Sequence, residues 1–325
     1  MSHYRIRVPA FAGPEVLARE DVTVGMPGAG EARVRHTAIG LNFIDSYYRS
    51  GLYPVALPTG LGNEAAGVIE AVGPDVQGFA AGDRVAYATG PLGAYSTARV
   101  MPTASLVHLP DAIDDRTAAA VMLKGMTADM LIHGCGRVEA GQTVLVHAAS
   151  GGVGSLLVPW LKAAGAIVIA HAGTAAKAER AAARGADHAL SCSLDDLAAT
   201  VRQRTGGRGV DLVLDGVGKA SWPASLAATA KRGLIVSYGN ASGVVPPVAT
   251  LDLLKAGSLF LTRPSLFDYT DTRERLEASA GRLFEMLTSG KLPVEIGQIF
   301  PLVQAADAHR ALEGRQTTGS TVLLP

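Results

Sequence analysis

The stretch from Thr143 to Lys177, TVLVHAASGGVGSLLVPWLKAAGAIVIAHAGTAAK, joins a β-branched run, a glycine cluster and a helical segment in the order of a dinucleotide cradle. Thr143 to Ala148 reads as a strand buried on both faces, with Gly151, Gly152 and Gly154 turning the chain directly after it. Ser155 to Ala164 then reads as a helix ended by Gly165, and Ala166 to Ala170 as a second strand. Glycine serves such a turn in three ways: it lets the chain reverse tightly, lets backbone touch a pyrophosphate, and lets the helix pack close to the strand. Ala149 holds the first position, so the pattern is A-x-G-x-x-G, which an ordinary glycine turn of an α/β sheet also satisfies. Pro159 falls in the second turn of the helix and predicts a kink or a loosened turn.

The cofactor type is read at the end of the second strand, where an NAD site carries Asp or Glu about 20 residues past the glycine turn. Here the residues are His171-Ala172-Gly173-Thr174-Ala175-Ala176-Lys177. They hold no acid, but a hydroxyl and an ammonium suit a 2′-phosphate and favour NADPH. Lys177 taken alone also reads as a solvated helix charge.

These residues need a frame. From Tyr4 to about Lys124, short runs such as YRIRV, EARVRHTAI and AAGVIEAVG alternate with Gly, Pro and Asp turns, the pattern of a β-rich domain. Asp114 to Gly134 is helical. After the first β-turn-α-β unit the alternation continues through HALSC, Asp195 to Arg204, GVDLVLDGVG, Trp222 to Ala230, GLIVSYGN and SLFLTRPS, giving six strands and a complete doubly wound parallel sheet. From Thr272 come an amphipathic helix stopped by Gly290, two β-like pieces, and a helix from Val303 to Glu313. Those last pieces are not read as another βαβ unit but as the chain returning to complete the first domain.

With 325 residues, 48% of them hydrophobic, the chain has material for about two domains with real cores. Lys plus Arg and Asp plus Glu both number 29, with no block of like charge, so no surface for nucleic acid or anionic lipid is indicated and a small-molecule partner fits better. The N-terminus lacks a signal-peptide apolar region, and the longest apolar stretch is interrupted by Pro159, Lys162, Gly165 and His171, so a cytoplasmic protein is expected. Cys135 and Cys192 are far apart and read as reduced structural thiols.

The order of parts resembles the medium-chain dehydrogenase/reductase superfamily, in its zinc-free quinone oxidoreductase (zeta-crystallin-like) branch. The resemblance covers essentially the whole chain and rests on AIGLNFIDSYYRSGLYP, GLGNEAAGVIEAVG, AGDRVAYA, LKGMTA, HAASGGVG, YGNASG and LTRPSL. It implies a β-rich GroES-like catalytic domain at 1–126 and 267–325 and a Rossmann NADPH-binding domain at 127–266, with cofactor and acceptor in the cleft between them. The alcohol-dehydrogenase relatives carry G-H-E-x-x-G with a zinc-ligating His, whereas this chain reads Gly62-Asn63-Glu64-Ala65-Ala66-Gly67 and has no cysteine before Cys135, so no metal is expected. Without a Lewis acid, a conjugated quinone is a better acceptor than an unactivated ketone. By resemblance, Asn42, Tyr47 and Tyr53 are the catalytic pocket residues, able to donate hydrogen bonds to a quinone oxygen; packing is the other reading of the tyrosines.

The resemblance also implies cofactor contacts from Asn42, Asp45, Ser46, Gly151, Gly152, Val153, Gly154, Tyr238, Gly239, Asn240, Arg263, Pro264 and Ser265. Gly173, Thr174, Lys177 and Arg315 are implied as the phosphate pocket, with Cys192 standing where relatives place a tyrosine. Asp129 and Met130 occupy places where relatives carry tyrosines and are left out of the site. No charged general acid is identified. The sixth strand would be an apolar edge, which predicts a homodimer through it. The expected activity is NADPH-dependent quinone reduction. The nearest alternative is reduction of α,β-unsaturated carbonyls, and the alternative of another class is a non-catalytic NADPH-binding or RNA-binding regulator.

Overall fold

The computed structural model describes residues 3–325, which form two compact units. The first comprises residues 3–126, Thr270–Ser289 and Val294–Pro325, and the second Thr127–Tyr269 with Gly290–Pro293. The return to the first unit thus comes at Thr270, later than the expected 267, and four residues after the amphipathic helix belong with the second unit.

The first unit is built on a seven-stranded sheet. Its spine is Glu31–Leu41, which pairs antiparallel with Glu64–Val72, Ala98–Pro102 and Ser320–Leu324. Ala32, Val34, His36 and Ala38 point inward in turn, as the alternation of EARVRHTAI requires. Ile39, Leu41, Leu61, Ile69, Tyr87, Tyr95, Met101 and Leu323 pack into one core. Immediately after the spine the chain turns into the helix Phe43–Ser50, so the strand end and the first helical turn carry the site residues. The amphipathic helix runs from Arg273 to Thr288, capped by the Thr272 hydroxyl, which accepts from the N–H of Arg275 at 3.2 Å. One expectation is corrected: Ile296–Pro301 and Ser320–Leu324 pair in parallel across the helix Ala305–Glu313, a β-α-β crossover, although it does complete the first unit's sheet.

The second unit holds six parallel strands in the order His188–Leu190, Ile167–His171, Thr143–Val146, Val210–Asp215, Thr229–Ser237 and Phe260–Thr262. In sequence order this is 3-2-1-4-5-6, the Rossmann arrangement, with the strand order reversing beside Thr143–Val146. All four residues of that central strand are buried, because it is covered on both faces. The helix Gly154–Ala163 continues through Pro159. The carbonyl that Pro159 leaves without its helical partner is that of Ser155, and Arg184 Nη1 donates to it at 3.4 Å. Among the described residues, no helix is long and apolar enough to cross a membrane.

Two glycines separate steric need from backbone freedom. A Cβ on Gly154 would lie 2.3 Å from the Ala148 carbonyl oxygen, whereas one on Gly281, inside the helix Arg273–Thr288, would meet nothing within 4 Å. Gly154→Ala is therefore expected to lower the denaturant-unfolding free energy by about 1–3 kcal/mol, and Gly281→Ala to raise it by about 0.5–1 kcal/mol.

Candidate active site

In the second unit the carboxyl ends of the strands form the cofactor edge. After Val146, the His147 N–H still donates to Leu214 at 3.1 Å, then Ala148 takes a positive φ of 49° and the Gly151 N–H closes the turn on the Ala148 carbonyl at 2.8 Å. The N–H groups of Gly152 and Val153, just before the helix Gly154–Ala163, have no acceptor among the described residues. Unsatisfied N–H groups at the positive end of a ten-residue helix suit a pyrophosphate.

At the end of the strand Ile167–His171, Thr174 caps the helix Ala175–Ala183, its Oγ1 accepting from the Lys177 N–H at 3.3 Å. Gly173 has no positive φ, and a Cβ there would meet nothing within 4 Å, so the fold itself does not demand glycine at that position. Cys192 is half-buried, and its carbonyl accepts from His171 Nε2 at 3.0 Å. Arg315, with φ 56°, follows the helix Ala305–Glu313 and belongs to the first unit, whereas Gly173, Thr174 and Lys177 belong to the second.

Two loops beyond the next strands are stitched backbone to backbone. Tyr238 N–H donates to Asp215 at 2.8 Å and Ser242 N–H to Val217 at 2.8 Å. A Cβ on Gly239 would lie 2.4 Å from the Gly216 oxygen. Beneath them Asp215, fully buried, accepts from Ser225 Oγ at 2.6 Å, from Ser221 Oγ at 2.7 Å and from the Val217 N–H at 2.8 Å. Ser225 in turn lies 2.9 Å from His147 Nε2. Because the Ser225 proton goes to Asp215, Nε2 of His147 is the protonated nitrogen, and burial holds this imidazole neutral with its pKa down at about 4. This lattice fixes Tyr238, Gly239 and Asn240. Arg263, Pro264 and Ser265 follow the edge strand Phe260–Thr262, where Arg263 Nη1 donates to the Pro264 carbonyl at 3.2 Å.

The first unit gathers Asn42, Asp45, Ser46, Tyr47 and Tyr53 around the helix Phe43–Ser50. Tyr47 and Tyr53 meet edge to face, centroids 5.3 Å apart, and the Tyr53 N–H donates to the Tyr47 carbonyl at 3.1 Å. Ser46 Oγ donates back to Phe43 at 2.7 Å. Asp45, expected to touch the cofactor, is enclosed instead. Its oxygens accept from the Asn42 N–H at 2.9 Å, Tyr95 OH at 3.1 Å and Asn63 Nδ2 at 3.2 Å, and its side chain supports the site from within. Burial pushes its pKa up to about 7. Behind Tyr95, His309 donates from Nε2 at 3.1 Å, because its Nδ1 accepts from Arg49 at 2.9 Å. Burial drives the His309 pKa to about 3.

Beside this chain stands Glu64, fully buried, whose Oε1 accepts from the Leu123 N–H at 2.7 Å and whose Oε2 accepts from Asn42 Nδ2 at 2.7 Å and Lys124 Nζ at 3.3 Å. Among the described residues, no three His, Cys, Asp or Glu side chains come together in a way that could hold a metal ion.

Comparison with known proteins places this arrangement. The chain matches the family models described as alcohol dehydrogenase GroES-like domain, over residues 28–111, and zinc-binding dehydrogenase, over 184–323. It is 51% identical to a quinone oxidoreductase of Pseudomonas aeruginosa, covering 99% of each chain. The chain belongs to the quinone oxidoreductase branch of the medium-chain dehydrogenase/reductase superfamily. It is also 44% identical to a 2-haloacrylate reductase of a Burkholderia species, over 96% of each chain. The crystal structure of Escherichia coli quinone oxidoreductase complexed with NADPH is similar at a TM-score of 0.96 and 43% identity, over 99% of this chain and 100% of that one.

The sequence reading assigned no role to Lys124, Glu64, Tyr95 or His309. Its one available signal was a single lysine inside the apolar helical run AAAVMLKGM.

The buried titratable groups set the acid stability. His36, His147 and His309 are held neutral by burial, with pKa values of about 3, 4 and 3, while Asp45 stays protonated up to about 7. Below pH 6.5 the unfolded chain protonates three histidines that the folded chain does not, and above pH 4 it releases one Asp proton that the folded chain keeps. His171, its pKa also lowered by burial, adds to the same side, so the unfolded state binds at least two more protons net, and stability should fall by at least about 3 kcal/mol per pH unit between pH 6 and 4.5. Urea unfolding across that range checks this, and a flat profile would contradict it.

Proposed function

We propose that the chain is a zinc-free, NADPH-dependent reductase of quinones. The observation that carries the reading is the pair of sites at one strand edge. One is the helix N-terminus with free Gly152 and Val153 N–H groups, and the other is an acid-free second-strand end offering Gly173, Thr174 and Lys177. Full-length identity of 51% to a quinone oxidoreductase, and the NADPH in the E. coli structure, support it. The turn Gly151–Gly154 would hold the pyrophosphate, and Thr174 and Lys177 the 2′-phosphate. Tyr238, Asn240, Arg263 and Ser265 would flank the nicotinamide. Bound there, NADPH supplies a hydride.

The rest is the work of this chain's own side chains. Asn42 borders the acceptor, held by its Nδ2 bond to Glu64, and Tyr47 and Tyr53 wall the acceptor site. Asp45 fixes the start of the helix by accepting from the Asn42 N–H. Asn63 replaces a ligating histidine, which is why we read the site as zinc-free.

A second reading is favoured by the 44% identity to the 2-haloacrylate reductase: conjugated carbonyl compounds would be reduced at the same site. We further propose a homodimer. The edge strand Phe260–Thr262 leaves Phe260 61% exposed, and Leu251 and Leu254 of the helix Thr250–Lys255 are 60% and 61% exposed. Equal counts of acidic and basic residues support no role in binding nucleic acid or membranes, and two free thiols fit the cytoplasm.

Steady-state NADPH oxidation with 1,4-benzoquinone and with 2-hexenal tests the reading. Quinone turnover that survives chelation is expected, and activity lost to chelation or confined to the enal would overturn it. Lys177→Ala should raise KM for NADPH at least about tenfold and leave NADH little changed. Equal effects on both would remove the phosphate assignment.

A further inference from the structure

Lys124 is a cation in an apolar place. Its side chain is only 7% exposed, and its ammonium has one partner among the described residues, Glu64 Oε2 at 3.3 Å. That oxygen already accepts a 2.7 Å bond from Asn42, and the other oxygen of Glu64 accepts a 2.7 Å bond from the Leu123 N–H. The ion pair is thus the longest of the three bonds to the carboxylate, and an ammonium has two further N–H donors to place. A lysine kept this far from water only to balance a well-bonded carboxylate is a costly device. Held beside Asn42 with donors to spare, it has the form of a group awaiting an anion.

We propose that the Lys124 ammonium binds the acceptor oxygen beside Asn42 as that oxygen becomes negative, and then gives it the proton that completes reduction. The inference rests on the reading of the chain as a reductase that draws its hydride from a reduced nicotinamide. A quinone that has gained one hydride carries one negative charge. One N–H bond of Lys124 breaks, its electron pair stays on nitrogen as the amine, and the proton forms the O–H bond of the hydroquinone. Water then reprotonates the amine. A phenol and an alkylammonium are similar in acidity, so the transfer has little uphill cost in either direction. The fixed positive charge occupies the electrostatic role that a Lewis acid plays in metal-dependent carbonyl reduction.

The test uses 4-nitrophenol as a stand-in for the half-reduced acceptor, read by nitrophenolate absorbance with the full-length protein loaded with NADP+, where no turnover occurs. The wild type should lower the ionisation midpoint of bound nitrophenol by about one pH unit or more. Lys124→Met should abolish that shift. Lys124→Arg keeps the charge but cannot surrender a proton, so it should keep the shift while kcat with 1,4-benzoquinone falls about 100-fold. An absent shift in the wild type, an equal shift in Lys124→Met, or a wild-type kcat in Lys124→Arg overturns the proposal. Should Lys124→Met fail to fold, the arginine variant decides it alone. Wild-type quinone turnover without the shift would sink this inference and leave the reductase reading standing, whereas no turnover at all would sink that reading.

Discussion

The carboxylate of Glu64 is the constraint around which the first unit is arranged. It is fully buried, and a buried carboxylate costs several kcal/mol unless every oxygen is bonded and its charge is matched. Three separate segments meet that need: Asn42 from the end of the spine strand, Leu123 through its backbone, and Lys124 through its charge. The carboxylate also dictates Gly40, where a Cβ would sit 2.1 Å from Oε2 and 2.2 Å from the Ala119 carbonyl. Strand, helix start and the long helix Asp115–Asp129 are therefore held at one point, and the side chain of Asn42 has its direction fixed there.

A different device serves the second unit, where backbone rather than charge does the positioning. Gly154, Gly216, Gly218 and Gly239 all stand where a Cβ would fall within 3 Å of a neighbouring atom. Loops that close can present N–H groups to a phosphate, and the buried Asp215–Ser225–His147 chain keeps them from collapsing inward. One unit supplies a polar hub and the other a rigid backbone surface.

Much of this was legible in the sequence because it is local. Strand alternation, the glycine turn, the helix stopped at Gly290 and the missing acid before Lys177 are all read within a few residues. What escaped depends on pairs far apart in the chain. Tyr95 and His309 are 214 residues apart, and Lys124 and Glu64 60. Pro159 does not end its helix, and the carbonyl it orphans is met by Arg184, 29 residues away from Ser155. The resemblance implied a cofactor contact for Asp45, but its burial rests on three donors, of which Asn63 and Tyr95 lie 18 and 50 residues away in the chain. The β-α-β crossover at Ile296–Leu324 was missed because its strands pair inside an otherwise antiparallel sheet.

The dependence of the first unit on the Glu64–Lys124 pair is open to direct measurement by a double-mutant cycle in denaturant unfolding, with Glu64→Gln, Lys124→Met and both together. Lys124→Met strands a buried charge, so it should cost about 3–5 kcal/mol, while the double variant, which removes both charges, should be more stable than that single variant. Losses that simply add would contradict the account and reduce the pair to two independent residues.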